Sequence, residues 1–495
     1  MQNAQNASVR NVVLKISNNQ EIPNTSSALG VKGIIFYMRI LFYNSTSNHF
    51  DGTKINTKTY PSYKEQFDNL TRKYPQHEFF VVSQLPASFL VDMDGNDIIG
   101  FSDNVTYCIA RDDQNTPEQL AALILEQKPD IAIALTFWTE PFDWLTIKDG
   151  MIAEILQNHG VKVICNSAQT GLECFDKFRT HCILKSLGLN AAKAVYVHHW
   201  LFMCAGTKGV VKENIYAEHV LNEIKKLHYP VIIKDTVGLS SYGMQVVDTY
   251  EEAEHFLFSK RNNSDRIVEE YIPGLQFGTE IYGTNGEYFV QPPFMFSVNK
   301  YGITSPKQCI KLGPVTSPSF RLNELNKMLL SLAEKMQLRG IAQVDLVFTK
   351  EGWRIIEINP RLSGMSETYA ISLRTSLPKL LYQIASAEFL KKTFTLETKN
   401  LLPTLNLKLP ILTKEQFTKI SKIPFVKCAR QIFNRIAKQE REKGYCEIIF
   451  SSEVPSASFK DLEAKLDYLY KEFPESTEAD FLETAKSMIA LVKEK

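Results

Sequence analysis

The chain has eight cysteines (108, 165, 174, 182, 204, 309, 428 and 446) but no C-x-x-C pair and no spacing of the kind that staples a small domain. Reduced thiols fit that pattern, and the expected compartment is the cytoplasm. An excess of one charge is missing too. Lys and Arg number 56 against 55 Asp and Glu, which leaves no basic surplus to draw nucleic acid or an anionic membrane. Long apolar runs are absent. The longest early one, Gly33–Tyr43, is broken by Arg39 and falls short of the roughly 20 residues of a membrane helix. It reads as a buried strand, and the polar stretch ahead of it does not read as a signal peptide. No P-loop G-x-x-x-x-G-K-[ST] and no internal repeat occur.

What is present is most legible between Gly340 and Gly364. Two β-prone runs, Ile341–Phe348 and Trp353–Ile358, flank Lys350-Glu351-Gly352, a three-residue hairpin loop with glycine last. That register sets Thr349 opposite Trp353, Val347 opposite Ile355, Asp345 opposite Glu357 and Gln343 opposite Asn359. Alternation then puts Asp345, Glu357, Asn359 and Arg361 on one face, with Val344, Leu346, Phe348, Ile356 and Ile358 on the other. Two carboxylates set directly opposite repel, and a hard divalent cation turns the repulsion into coordination. A solvated polar face on an amphipathic hairpin is the alternative.

A chain of 495 residues suggests roughly two to four domains. From Val31 to about Cys165, strands (Phe79–Val82, Asp130–Leu135) alternate with helices (Pro117–Gln127, Gly150–His159) in a βαβ rhythm that predicts a parallel sheet. Asp176 opens a helix to about Leu187, and Ala191–Gly209 is expected to be an insertion or loop. His198 and His199 lack zinc-ligand spacing. Helices are expected at Ile215–His228, Leu322–Leu338 and over Met365–Ala387. In the tail, strands are expected at Leu407–Leu412 and Cys446–Phe450, with amphipathic helices at Asp461–Phe473 and Glu478–Val492.

Glu357-Ile358-Asn359-Pro360-Arg361-Leu362-Ser363-Gly364, with Asp345 twelve positions ahead of Glu357, resembles the metal-binding signature of the ATP-grasp superfamily of carboxylate–amine ligases. The likeness runs over roughly residues 110–390 and includes features of L-amino-acid ligases, D-alanine ligases and the carbamoyl-phosphate branch. It implies an ATP-grasp fold, α/β and α+β in class. The implied divisions are a leader (1–30), a parallel-sheet pre-grasp domain (31–168), the ATP-grasp domain (169–390, with a lid at about 195–272) and a small C-terminal α+β appendage (391–495). ATP is the implied nucleotide, with Mg²⁺ or Mn²⁺ held by Asp345, Glu357 and Asn359.

The resemblance also assigns roles. Lys177 and Lys234 reach nucleotide phosphate. The loop Gly238, Ser240, Ser241 and Gly243 is similar to the D-alanine ligase phosphate loop, with Leu239 as an extra residue. Glu269, Glu270, Tyr271 and Ile272 border adenine. Gln276 stands where many relatives carry a ribose-binding Glu. Glu280 faces phosphates or acceptor, or is an ordinary polar strand residue. Lys300, Lys307 and Lys311 are candidate grips for a phosphate or carboxylate, and Arg361 joins Lys234 in the catalytic pair. The implied activity is an ADP-forming ligase joining a small-molecule carboxylate to an amine through an acylphosphate, with a homodimer as the family-level expectation. A carboxylase or carbamoyl-phosphate-type enzyme and a silent ATP-binding regulator are the alternatives.

Overall fold

The computed structural model describes residues 37–494 except 46–52, 60, 85–88, 95–96, 112, 136–144, 190, 205–210, 238–243, 299–308, 389–400, 435–443, 454–458 and 475–478. Three sheets organise the site, and a two-stranded hairpin pairs separately from them.

The first sheet is parallel, in the order Val105–Ile109, Glu78–Ser83, Arg39–Asn44, Ile131–Ala134, Lys162–Ile164. Its strands are apolar almost throughout because both faces are covered. Along Arg39–Asn44, Ile40 and Phe42 enter one core while Leu41 and Tyr43 enter another, the period of two written directly into packing. Helices Pro117–Glu126 and Leu145–Asn158 contribute to the second core. Thr116 and Gln119 form a capping box at the start of the former. Helices Tyr63–Lys73 and Leu377–Ala385 close the other face.

The second sheet is antiparallel: Gln245–Val247, Val231–Asp235, Arg266–Glu270, Ala194–Val197. Helices Ile215–Ile224 and Tyr250–Phe258 share its core. The stretch expected to be an insertion or loop from Ala191 thus supplies an edge strand and a short helix, His199–Phe202. Val195 and Val197 pack into this core, and that burial favours a strand over a loop.

The third sheet has ten strands. It starts with Gly352–Asn359, Gly340–Thr349, Leu275–Thr284, Phe294–Phe296 and Cys309–Gly313. Thr404–Leu409, Gly444–Ser451, Val426–Asn434 and Thr53–Thr59 continue it, while Glu287–Val290 pairs with Leu275–Thr284 off this path. The C-terminal strands therefore extend the sheet that carries the hairpin. Helices Leu322–Met336, Lys460–Glu472 and Ala479–Glu494 contribute to the core on it.

Two local expectations are corrected. The hairpin turns more tightly than the three-residue loop: Thr349 pairs with Gly352 and Val347 with Arg354, and the extra residue is taken up where the register shifts between Asp345 and Leu346. That bulge reverses the alternation beyond it, so Ile355 enters the core in place of Ile356. The expected helix over Met365–Ala387 is two helices, Ser366–Ser372 and Leu377–Ala385. Arg374 takes a left-handed conformation (φ 55°), and Pro378 starts the second helix within its first turn.

Candidate functional site

The hairpin's far end is fixed by aromatic packing. Trp353 meets Phe277 and Phe348 with centroids 5.1 and 4.8 Å apart, and its indole N–H donates to the Phe320 carbonyl at 2.7 Å. At the near end, Asn166 follows the parallel strand Lys162–Ile164 and pins both strands. Its amide donates to the carbonyls of Ile341 (3.1 Å) and Pro360 (2.8 Å) and accepts from the Arg339 N–H (2.7 Å). Between these anchors Asp345 and Glu357 are direct cross-strand partners, as are Gln343 and Asn359.

Part of Asp345 stays exposed, yet burial of its carboxyl and the Glu357 charge opposite push it up to about 7. Gln343 Nε2, 2.7 Å away, and the charges of Lys311 and Arg361 pull in the other direction without winning. Such a pair calls for a cation. Among the described residues no group of three or more His, Cys, Asp or Glu forms a metal cage. The hairpin instead offers two carboxylates and the Asn359 amide oxygen. That set suits Mg²⁺, which is usually held by one or two carboxylates together with substrate phosphates.

Lys177 reaches this edge. Asp176 caps its helix by accepting from the N–H groups of Phe178 (2.8 Å) and Arg179 (3.2 Å), and Lys177 Nζ lies 3.5 Å from Glu357. The Lys177 N–H donates to the Thr236 carbonyl at 2.8 Å, which ties this helix to the end of the Lys234 strand. Lys234 is buried and paired with Glu269 on the neighbouring strand. Glu270 takes the His228 backbone N–H at 3.0 Å and its ring Nδ1 at 2.8 Å. Tyr271, Ile272 and Gln276 are half-buried on the way into the third sheet. Gly238, Ser240, Ser241 and Gly243 lie outside the described residues, as do Lys300 and Lys307.

Arg361 donates to Asn359 Oδ1 (3.1 Å) and to the Leu362 carbonyl (3.0 Å), so its guanidinium is held beside the hairpin. Glu280 is fully buried, and its carboxylate is used inside the protein. It accepts from Ser366 (2.6 Å), Tyr282 (3.1 Å) and Ser363 (3.2 Å), which fixes the turn after Arg361 rather than leaving an open contact. Burial pushes it up to about 7 against those donors.

Of the three lysines proposed as grips, the structure brings Lys311 to the centre. It is buried, and its ammonium lies over the Phe296 ring, 5.5 Å from the centroid. A Cβ built on Gly364 would lie 3.4 Å from Nζ and 3.8 Å from Glu447 Oε1, which places the turn after Arg361 against both groups. Burial holds Lys311 below the usual lysine range, with Lys408 adding to the effect and Glu447 and Asp345 opposing it. Sequence reasoning missed Glu367, Arg430, Glu447 and Asn406, which line up behind this point. Arg430 pairs with Glu367 and stands 3.6 Å from Glu447, which also accepts from Asn406 at 2.9 Å. Glu447 is a lone charge in the otherwise uncharged strand Gly444–Ser451, and that is the signal that could have found it; Arg430, among Lys427, Gln431 and Asn434, gave none.

Residues 207–365 match the family model described as an ATP-grasp domain. The carbamoyl phosphate synthase large chain of Clostridium acetobutylicum is 22% identical over 244 residues, covering 49% of this chain; the chain spans about a fifth (21%) of that relative's length. Among solved structures, the L-amino acid ligase from Bacillus licheniformis superposes with a TM-score of 0.57 at 16% identity, covering 88% of this chain and 97% of that one. The N5-carboxyaminoimidazole ribonucleotide synthetase from Thermus thermophilus gives 0.54 at 14% identity, covering 87% and 98%. The biotin carboxylase from Campylobacter jejuni, solved as an ATP-type complex, gives 0.54 at 14%, covering 88% and 91%. At these identities the structural likeness establishes the fold.

Proposed function

We propose that this chain, whose residues 207–365 match an ATP-grasp domain, is an ADP-forming ligase that activates a small carboxylate, an amino acid or short peptide acid, and joins it to an amine. The observation that carries this reading is the facing pair Asp345 and Glu357, with Lys177, Asn359 and Arg361 at its margins. A carboxylate does not condense with an amine unaided, because oxide is a poor leaving group. Transfer of the ATP γ-phosphoryl to the carboxylate gives an acylphosphate, from which the amine displaces phosphate. That transfer needs charge neutralisation and alignment more than covalent help.

Asp345, Glu357 and Asn359 would hold Mg²⁺, whose contribution when bound is to neutralise phosphate charge. Lys177 and Lys234 supply positive charge along the nucleotide phosphates. Arg361, restrained by Asn359 and Leu362, presents a bidentate fork to the acyl oxygens. Lys311, buried with its ammonium over the Phe296 ring, suits the substrate's anionic end, since a carboxylate there offsets the cost of burying the charge. Glu280 keeps the Ser363–Ser366 turn in place behind them.

The test is release of ADP and phosphate by purified protein given ATP, Mg²⁺ and pooled amino acids, with bicarbonate plus ammonia as a separate arm. Amide-containing products by mass spectrometry, lost in Glu357→Ala, are the expected result. Nucleotide binding without ADP release in any amino-acid pool would overturn the reading.

A further inference from the structure

Lys177 stands where two separately packed units meet. The second sheet has a core of its own, drawn wholly from residues 195–268. The helix Lys177–Ser186 is rooted elsewhere, because Leu184 and the preceding Cys174 enter the core of the ten-stranded sheet. Its first turn is nevertheless tied to the second sheet. Asp176 forms a β-bridge with Val237, and the Lys177 N–H donates to the Thr236 carbonyl at 2.8 Å.

A side-chain tie accompanies these backbone ones. The Phe178 ring stacks on that of Tyr196, with centroids 4.5 Å apart and planes 19° from parallel. Tyr196 belongs to the edge strand Ala194–Val197. Its hydroxyl donates to Asp265 Oδ2 at 2.7 Å, and the other carboxylate oxygen takes the His199 backbone N–H, also at 2.7 Å. The stack is thus braced against the start of the strand Arg266–Glu270. Lys234 lies on the next strand of the same sheet. The facing carboxylates belong to the other unit, which Lys177 Nζ reaches at Glu357, 3.5 Å away.

Resting on the reading of Lys177 and Lys234 as the phosphate lysines of a ligase, we infer that Phe178 and Tyr196 are positioning residues. Their stack, braced by Asp265, is a latch that fixes Lys177 to the sheet of Lys234, so that both ammonium groups meet the nucleotide at a set spacing. The hairpin carries the metal side of the site, and the lysines are registered to each other rather than to it.

The test is a double-mutant cycle read by calorimetry, using the full chain, Mg²⁺ and a non-hydrolysable ATP analogue. Lys177→Met is expected to weaken the analogue about 10- to 100-fold. Phe178→Leu keeps apolar volume but removes the stack, and should weaken it about 3- to 10-fold. Phe178→Tyr should restore the affinity. Phe178→Leu added to Lys177→Met should cost nothing more, because the ring acts through that ammonium. Tyr196→Leu runs the same cycle from the other side of the stack if Phe178→Leu does not fold. A ring that merely packs would lower the melting temperature and leave analogue affinity unchanged, or weaken it equally with and without the Lys177 ammonium. Either result would overturn the latch, as would Lys177→Met binding the analogue as tightly as wild type. The ligase reading fails on a different measurement, the absence of ADP release, which the binding cycle does not use.

Discussion

At one end of the ten-stranded sheet Asp345 and Glu357 face each other with cations only at their margins, the Lys177 ammonium 3.5 Å from Glu357. Towards its other end Glu447, with Glu367 from the helix Ser366–Ser372, flanks a single buried guanidinium, that of Arg430. The electrostatic outcomes differ accordingly. Burial and Glu357 leave Asp345 at about 7. Burial pushes Glu447 up as well, but Arg430, Lys408, Lys311 and Asn406 together hold it below the usual carboxylate range. Where the chain provides the counter-charge at bonding distance, the acids brace the fold. Where it provides less, they remain available to a ligand. Lys311 lies between the two clusters and feels both Asp345 and Glu447.

Breaking the open pair should cost activity and spare stability. Glu357→Ala or Asp345→Asn is expected to lower ATP turnover by about 10³-fold, a loss of roughly 4 kcal/mol in transition-state stabilisation. The melting temperature should hold or rise, since a repulsion has been removed. Steady-state ADP release and calorimetry on the same samples check both halves. A variant that melts far lower would place the pair among the structural acids.

The compensated cluster should respond the other way. Arg430→Met leaves Glu367 and Glu447 buried without their shared cation, at an expected cost of about 3–5 kcal/mol read from urea unfolding. A loss below about 1 kcal/mol would erase the contrast. Glu280 sharpens the contrast through pH. Its folded-state value of about 7 lies above its ordinary 4.5, so between those values the native protein holds more protons than the unfolded chain. Stability therefore falls as pH rises across that window, by about 3 kcal/mol in all. Glu280→Gln should flatten that part of the stability profile, and an unchanged slope would contradict the assignment. The smallest effect is expected at Lys311. Lys311→Met should raise KM for the activated acid about 10- to 100-fold with Mg-nucleotide affinity unchanged.

The hairpin was legible in sequence because strand alternation is strict and both carboxylates lie on the same side of the bulge. Past the bulge the reading failed, since an inserted residue leaves no mark in a pattern of consecutive isoleucines, Ile355 and Ile356. The parallel sheet announced itself through short apolar strands separated by capped helices. The strands Thr53–Thr59 and Val426–Asn434 did not, because the first is mostly polar, the second mixes charged and apolar residues without strict alternation, and the two pair with each other across some 370 residues of chain. The same distance hid Arg430 and Glu447, whose role is set by where the C-terminal strands join the sheet. Lys311 could not be told from Lys300 and Lys307 until its burial was seen.

Calorimetric titration of a non-hydrolysable ATP analogue, with and without Mg²⁺, into wild type and Asp345→Asn/Glu357→Gln tests the central claim most directly. The account predicts an affinity that rises with Mg²⁺ in wild type and loses most of that dependence in the double variant, whose melting temperature is no lower. A double variant that binds the Mg-nucleotide as tightly as wild type would contradict it.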